Sequence, residues 1–324
     1  MEGRLSCLRQ EVQRYKGSSY AKTTQATYRT HLRTYFRFCC FFGCTPVPAE
    51  RDTVCCYTAF LARSLSPSSI GGYLNIIRVL HLDAGLPNPL ENNWEVTLIR
   101  RGIARQLGTP PKQKLPITLA ILRSIFPLLD FSSTFEISFW AACLIAFFGF
   151  FRKSTILPVS HTSVGGILRG DVINFNGISF ELVVRHTKTI QFGQRILVLP
   201  FHRCADSRLC PVRALWSHLT SSSLSSDQHI FSYVIRGSVR LLTHPLFVNK
   251  LKSLIVAIGK NPRDYSAHSF RRGGSTYAFS LNMPLMYVKS RGDWKSNCVE
   301  RYIEIDKNLA MNAAVLLAEG SAWS

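Results

Sequence analysis

The chain has 324 residues, 46% hydrophobic and 18% charged, with 39 Lys and Arg against 19 Asp and Glu for a net charge of +20. That length predicts two domains with separate cores, and the composition excludes a disordered chain. A charge of +20 predicts a polyanionic partner, because uncompensated self-repulsion opposes folding.

Residues 18–106 read as a small all-helical unit. From Thr23 to Phe42, the apolar positions Ala26, Leu32, Tyr35, Phe36, Cys39 and Phe42 recur near the helical period. Gly43 and Pro46 end that helix. A second helix is predicted from Glu50 to Arg63. A third opens at Ser66 with Pro67 in its first turn and ends near Gly85. A fourth covers Asn92 to Gln106. Residues 108–116, with three prolines, read as an extended linker. Helices at 118–129 and 134–150 follow. Then comes a β region from Gly177 to Pro200, in which Ile178, Phe180, Leu182 and Val184 alternate on one strand and Ile196 and Val198 on another. A polar turn, Thr187 to Gln194, joins them. From Cys210 onward the pattern is helical, and Phe279, Leu281, Leu285 and Val288 read as core.

The expected domains are therefore 1–107, helical, and 117–324, joined by 108–116. Residues 1–114 carry 16 basic and 7 acidic residues, and residues 115–324 carry 23 and 12. Both halves should then face the same anion. Nucleic acid is the first candidate and an acidic membrane surface the second. The longest apolar run, Ile137 to Phe151, is 15 residues, short of a bilayer span and better suited to a buried helix. Ten cysteines without a signal-peptide-like stretch predict reduced thiols in an intracellular protein. His202, Cys204, Cys210 and His218 can be drawn as a zinc site, but their spacing matches no standard finger.

Two basic clusters mark the first domain. Arg29, Arg33 and Arg37 share one helix face at i, i+4, i+8, and such like charges destabilise an isolated helix. Arg100, Arg101 and Arg105 sit beside the linker. A solvated face explains either cluster alone; the pair in one basic domain favours contact with phosphates.

The second domain carries an ordered set of polar residues. Phe148-Gly-Phe-Phe-Arg152 ends an apolar helix with a charge, and His186-Thr-Lys188-Thr sits at a β-turn. His268-Ser-Phe-Arg-Arg-Gly-Gly-Ser-Thr-Tyr277 follows, then Arg291-Gly-Asp-Trp294, then Arg301-Tyr302 before a final helix. H-x-x-R alone carries little weight. Each member has an ordinary reading: a helix-end cation, a turn lysine, a half-buried tyrosine. The order and the element types together are far more specific.

With these motifs the chain resembles the tyrosine recombinases of the phage-integrase superfamily. The tail HSFRRGGSTYAF…RGDWKSNCVERYI is similar to recombinases of eukaryotic mobile elements of the Crypton and DIRS kind. The resemblance implies a mainly α fold with a small β-sheet: a helical, SAM-like core-binding domain and an α+β catalytic domain. It implies Arg152 and Arg271 as catalytic arginines, Lys188 as the β-hairpin lysine and His268 as the partner of Arg271. It further implies Trp294 at the His-or-Trp position and Tyr302 as nucleophile. Trp294 stands one residue closer to the tyrosine than in many members, so Asp293 competes for that slot. A nuclear location in a eukaryotic host and a homotetramer on two double-stranded DNA sites are also implied. In the family the terminal segment commonly docks into a neighbouring catalytic domain. Leu309, Ala313, Leu316 and Leu317 share one helix face here, available either for that docking or for closing the core of their own domain.

The chemistry follows from the side chains. Two planar guanidinium forks can clamp the oxygens of a phosphodiester as negative charge accumulates on them. A phenol needs activation by nearby cations, with His268 taking its proton. Lys188 on a turn can protonate the leaving 5′-oxygen. No acidic metal-ligand triad and no P-loop accompany the set, so no cofactor is expected, neither Mg²⁺ nor ATP. Two alternatives stay open: relaxation of DNA in the manner of a type IB topoisomerase, and a mobile-element-derived DNA-binding protein that no longer cuts.

Overall fold

The computed structural model describes residues 2–110, 113–160, 166–304 and 307–318. Two compact units divide the chain, Met1–Pro111 and Lys112–Ser324.

The first unit is helical: α1 (Glu2–Ser18), α2 (Lys22–Phe42), α3 (Arg51–Ala62), α4 (Pro67–Asp83) and α5 (Trp94–Leu107). The last four match the sequence expectation to within a few residues, because local signals set their ends. Gly43 takes a left-handed φ of +67° and closes α2, a conformation glycine adopts without Cβ strain. Pro67 occupies the first turn of α4, and the Asn93 side chain accepts from the Val96 N–H at 3.1 Å to cap α5. Tyr35, Phe38, Tyr57, Leu61, Leu74 and Ile77 form the core. No periodicity announced α1, and its apolar residues Leu5, Leu8, Val12 and Tyr15 are all at least half exposed.

In the second unit come α6 (Leu119–Ile125), α7 (Thr134–Phe148), α8 (Lys153–Ile156), β1 (Val172–Ile173), β2 (Ser179–Val184), β3 (Leu197–His202), α9 (Pro211–Ser222), β4 (Ser232–Ile235), β5 (Ser238–Leu241), α10 (His244–Ala257), α11 (His268–Ser280), α12 (Leu285–Arg291) and α13 (Lys307–Ala318). The fold is thus mainly α with small antiparallel sheets. Helix α7 is its axis: residues 137–147 are all buried, and α9, α11 and β4 pack around it. That is the place for a helix apolar on every side. None of the described helices is long and apolar enough to cross a membrane.

Three expectations change. Strands β1-β2-β3 form one antiparallel sheet in which Phe180 pairs Phe201 and Leu182 pairs Leu199. The buried phase of β3 is therefore Leu199 and Phe201, while Ile196 and Val198 are exposed. A run apolar on both phases leaves period-two patterning undecided until pairing selects a face. Second, β4 and β5 interrupt the region read as all helical. Arg236 and Gly237 both have positive φ in the turn between them, the twist a two-residue hairpin requires, and only Gly237 advertised it. Third, Leu281 and Leu285 are exposed while Val288 is fully buried, so of these three only Val288 is core.

The segment after the unit boundary is also less free than its prolines suggest. Leu115 N–H donates to the Asp264 carbonyl at 2.8 Å and Ile117 N–H to that of Ser269 at 2.9 Å. Helix α13 forms, with Leu317 exposed, but the side chains of Leu309, Ala313 and Leu316 lie outside the described residues.

Candidate active site

The site begins where α7 ends. Gly149 and Phe150 turn the chain, and Phe150 sits at φ +50°, strained for a bulky residue by about 1–3 kcal/mol. This turn presents the Phe150 carbonyl to Arg271 Nη1, which donates to it. Two residues on, half-buried Arg152 stands before α8.

Helix α11 supplies His268 on its first turn and Arg271 one turn later, on the same face. Arg271 is 1% exposed. The pair Gly273-Gly274 explains how α11 comes so close. A Cβ on Gly273 would run into the Ile117 carbonyl, and one on Gly274 into the Phe147 carbonyl and, at 2.6 Å, the Phe150 ring. The two glycines are contact sites against the start of the unit and against α7.

The Gly292-Asp293-Trp294 turn provides the lid. Trp294 N–H bonds back to the Lys289 carbonyl at 2.9 Å and Asp293 takes φ +55°, the pattern of a left-handed helix cap. Gly292 leaves room for the indole, which occupies the space a Cβ would need. The Trp294 ring then lies over Arg271, with Cζ 3.5 Å from the ring centroid, and edge-on to Tyr302 at 5.3 Å. Arg271 Cζ is 5.2 Å from the Tyr302 centroid. Tyr302 is held by its own chain. Its carbonyl accepts from Thr276 Oγ1 at 3.3 Å, Glu304 N–H donates to that same hydroxyl at 3.1 Å, and Arg272 pairs with Glu304 at 3.1 Å.

Arg271 Nε, Arg271 Nη2 and the Trp294 indole N–H are buried and find no hydrogen-bond partner among the described residues. Native proteins rarely leave such groups unpaired, since each costs about 1–3 kcal/mol. Burial pushes the Arg271 pKa down to about 9, helped by the charge on Arg152 and opposed by Tyr302 and Asp293; at neutral pH it stays cationic. His268 is lowered as well, first by desolvation on its protein side and then by Lys153, Arg271, Arg152 and Lys188. A histidine below its ordinary value of 6.5 is neutral at pH 7 and free to accept a proton. Two concavities meet at His268. One is lined by Lys114, Lys153, His244, Lys252 and Arg263; the other reaches Arg272, Arg301 and Tyr302.

The structure thus gathers Arg152, His268, Arg271, Trp294 and Tyr302 around one point, with Lys188 exposed on the adjacent β2–β3 turn. Trp294 and Asp293, competitors by spacing, part company. The indole faces Arg271 and Tyr302, whereas the Asp293 carboxylate turns away to the hydroxyls of Thr187 and Thr189 and to Arg195. Sequence reasoning missed Lys153, whose only signal is adjacency to Arg152. It also missed Arg291, which donates to the Phe148 carbonyl at 2.6 Å and the Pro200 carbonyl at 3.0 Å. Among the described residues no group of three or more His, Cys, Asp or Glu is placed to hold a metal ion. In the first unit Arg29, Arg33, Arg37, Arg100, Arg101 and Arg105 are all exposed, and none forms an ion pair among the described residues. Arg100 and Arg101 line a groove with Pro67 and Ser68.

The chain is 25% identical over 307 residues to an integrase/recombinase XerD homolog from Selenomonas ruminantium, covering 91% of this chain and 86% of that one. Among solved structures it resembles the Tn1549 transposon integrase in complex with transposon right end DNA, with TM-score 0.60, 12% identity, and 94% and 96% of the two chains covered. It also resembles a lambda integrase dimer bound to a core site, with TM-score 0.60, 12% identity, and 93% and 95% covered. The chain is thus similar in sequence to this recombinase and shares the fold of these integrases. A third similar structure is a lambda integrase tetramer bound to a Holliday junction, with TM-score 0.58, 11% identity, and 92% and 77% covered. No family model matches the chain.

Proposed function

We propose that this chain is a site-specific DNA recombinase that cuts and rejoins strands through Tyr302. One observation carries the reading: the unpartnered donors of Arg271 and Trp294 are buried beside that tyrosine. A scissile phosphate bound there satisfies all three, and its charge is met by Arg152 and Arg271. The Tyr302 oxygen attacks phosphorus and its proton passes toward neutral His268. The bond to the 5′-oxygen breaks as Lys188 protonates it, leaving a 3′-phosphotyrosine. Attack by a 5′-hydroxyl reverses these steps and reseals the strand, so the bond energy is conserved. Trp294 takes the sixth position, because its indole N–H has no partner among the described residues whereas the Asp293 carboxylate is engaged. Arg152, Lys188, His268 and Arg271 take the roles that their types and neighbours favour.

Residues 1–107 act as the core-binding domain, with the exposed arginines of α2 and α5 on DNA phosphates, and 117–324 as the catalytic domain. Exchange between two duplexes needs four cuts. With one nucleophilic tyrosine per chain, that requires a homotetramer, the assembly that the similar lambda integrase shows on its junction. The tail motif supports kinship with Crypton and DIRS recombinases, and with it a nuclear site of action.

The test is covalent trapping on a pool of random nicked duplexes. The parent chain should form an adduct, and Tyr302→Phe, which keeps the ring and its packing, should bind DNA equally and form none. An adduct that persists in Tyr302→Phe overturns the assignment. Binding by the parent with no adduct at all favours a silent DNA-binding protein.

A further inference from the structure

The turn that carries Lys188 belongs to a long connection, residues 185–196, between β2 and β3. Its own backbone ties are few: Thr187 and Ile190 exchange N–H···O bonds of 3.2 and 3.3 Å. A connection so weakly tied opens locally at little cost. Two side chains straddle the lysine. The Thr187 hydroxyl accepts from the N–H groups of Thr189 and Ile190, both at 3.1 Å. The Thr187 and Thr189 hydroxyls both reach one carboxylate oxygen of Asp293, and Arg195 at the far end of the connection reaches the other.

Asp293 is 4% exposed, and its carboxylate accepts from three side chains at once. It is therefore not a phosphate contact; an anion there repels one. Its backbone, by contrast, is locked in the cap that places Trp294. The residue bridges two parts of the site otherwise remote in sequence.

We propose that Asp293 is a positioning residue that holds the Lys188 turn in register with the Trp294–Tyr302 cluster, so that the lysine meets the leaving 5′-oxygen. The proposal rests on Lys188 being the acid of the reaction above. Burial alone raises the Asp293 pKa, but the Thr187 and Thr189 hydroxyls and the charges of Arg195 and Arg152 outweigh it. The carboxyl thus lies below its usual value and is ionised at neutral pH, as the tether needs.

The experiment compares a nicked duplex chosen from the random pool with its counterpart carrying sulfur in place of the bridging 5′-oxygen. A thiolate leaves without a proton, so a defect confined to the acid vanishes on that substrate. Asp293→Asn should keep DNA affinity, cut the oxygen substrate at least about tenfold more slowly and recover the parental rate on the sulfur substrate. Lys188→Ala should show the same split, and the double variant should be no slower than Lys188→Ala. Equal slowing of Asp293→Asn on both substrates, or a double variant slowed by the product of the two defects, overturns the proposal. If Asp293→Asn fails to fold, Thr187→Val with Thr189→Val cuts the same tether from the other side while leaving the Asp293–Arg195 pair. Its unaltered rate on oxygen would refute the idea. Absence of any adduct from the parent chain on either substrate is a different failure, that of the cutting reaction itself.

Discussion

Arg271 is an arginine and not a lysine for reasons visible atom by atom. One arm of its fork donates to the Phe150 carbonyl, the face stacks on Trp294, and Nε and Nη2 have no partner among the described residues. A lysine keeps the charge but has no plane to stack and no second arm. Arg271→Lys should therefore lower the rate of adduct formation at least tenfold, about 1.4 kcal/mol of transition-state stabilisation, with DNA affinity little changed. Gel-shift and single-turnover trapping separate the two quantities. If both fall by one factor, Arg271 is a binding residue. Arg271 and Tyr302 were legible as residue types in a motif. The tether of Asp293 was not, since Thr187 and Asp293 stand 106 positions apart.

Elements meet at this site because small residues let them. Helix α11 touches the Phe147 carbonyl through Gly274 and the Ile117 carbonyl through Gly273. Two adjacent glycines in a helix ordinarily weaken it by roughly 0.5–1 kcal/mol each relative to alanine, so their presence needs a compensating contact. Gly274→Ala should destabilise the chain by about 1–3 kcal/mol through overpacking. Gly102→Ala in α5, where nothing lies within 4 Å of the new methyl, should be neutral or stabilising. Urea unfolding of both variants checks the contrast, and equal effects would show that backbone propensity alone is at work. In sequence, Gly273-Gly274 reads as a weak point in a helix. Which neighbour presses on it depends on a contact with residues more than 100 positions away.

At the scale of the molecule, the charge of +20 is distributed so that both units carry exposed cations. Binding to duplex DNA should weaken steeply with salt. Replacing Arg29, Arg33 and Arg37 together by Gln should flatten the slope of log affinity against log salt by about two to three units, at roughly 0.9 per phosphate released. Titrations at several salt concentrations measure it directly. An unchanged slope means that the stripe faces solvent.

Composition and local pattern were enough for the expectation of a polyanionic partner, the mainly helical fold, the ends of α2 to α5 and the identity of the ionisable residues. Those properties depend on net charge, on periodicity and on caps only a few residues long. Pairing and proximity were settled by the tertiary structure alone. The face of β3 that is buried, the two-residue hairpin of β4 and β5, the burial of Arg271 under Trp294 and the tether from Asp293 to the Lys188 turn all depend on atoms from distant segments. A residue's neighbours in sequence decide whether it can turn or cap. Its neighbours in space decide what charge it feels and which of its hydrogen bonds are left for a substrate.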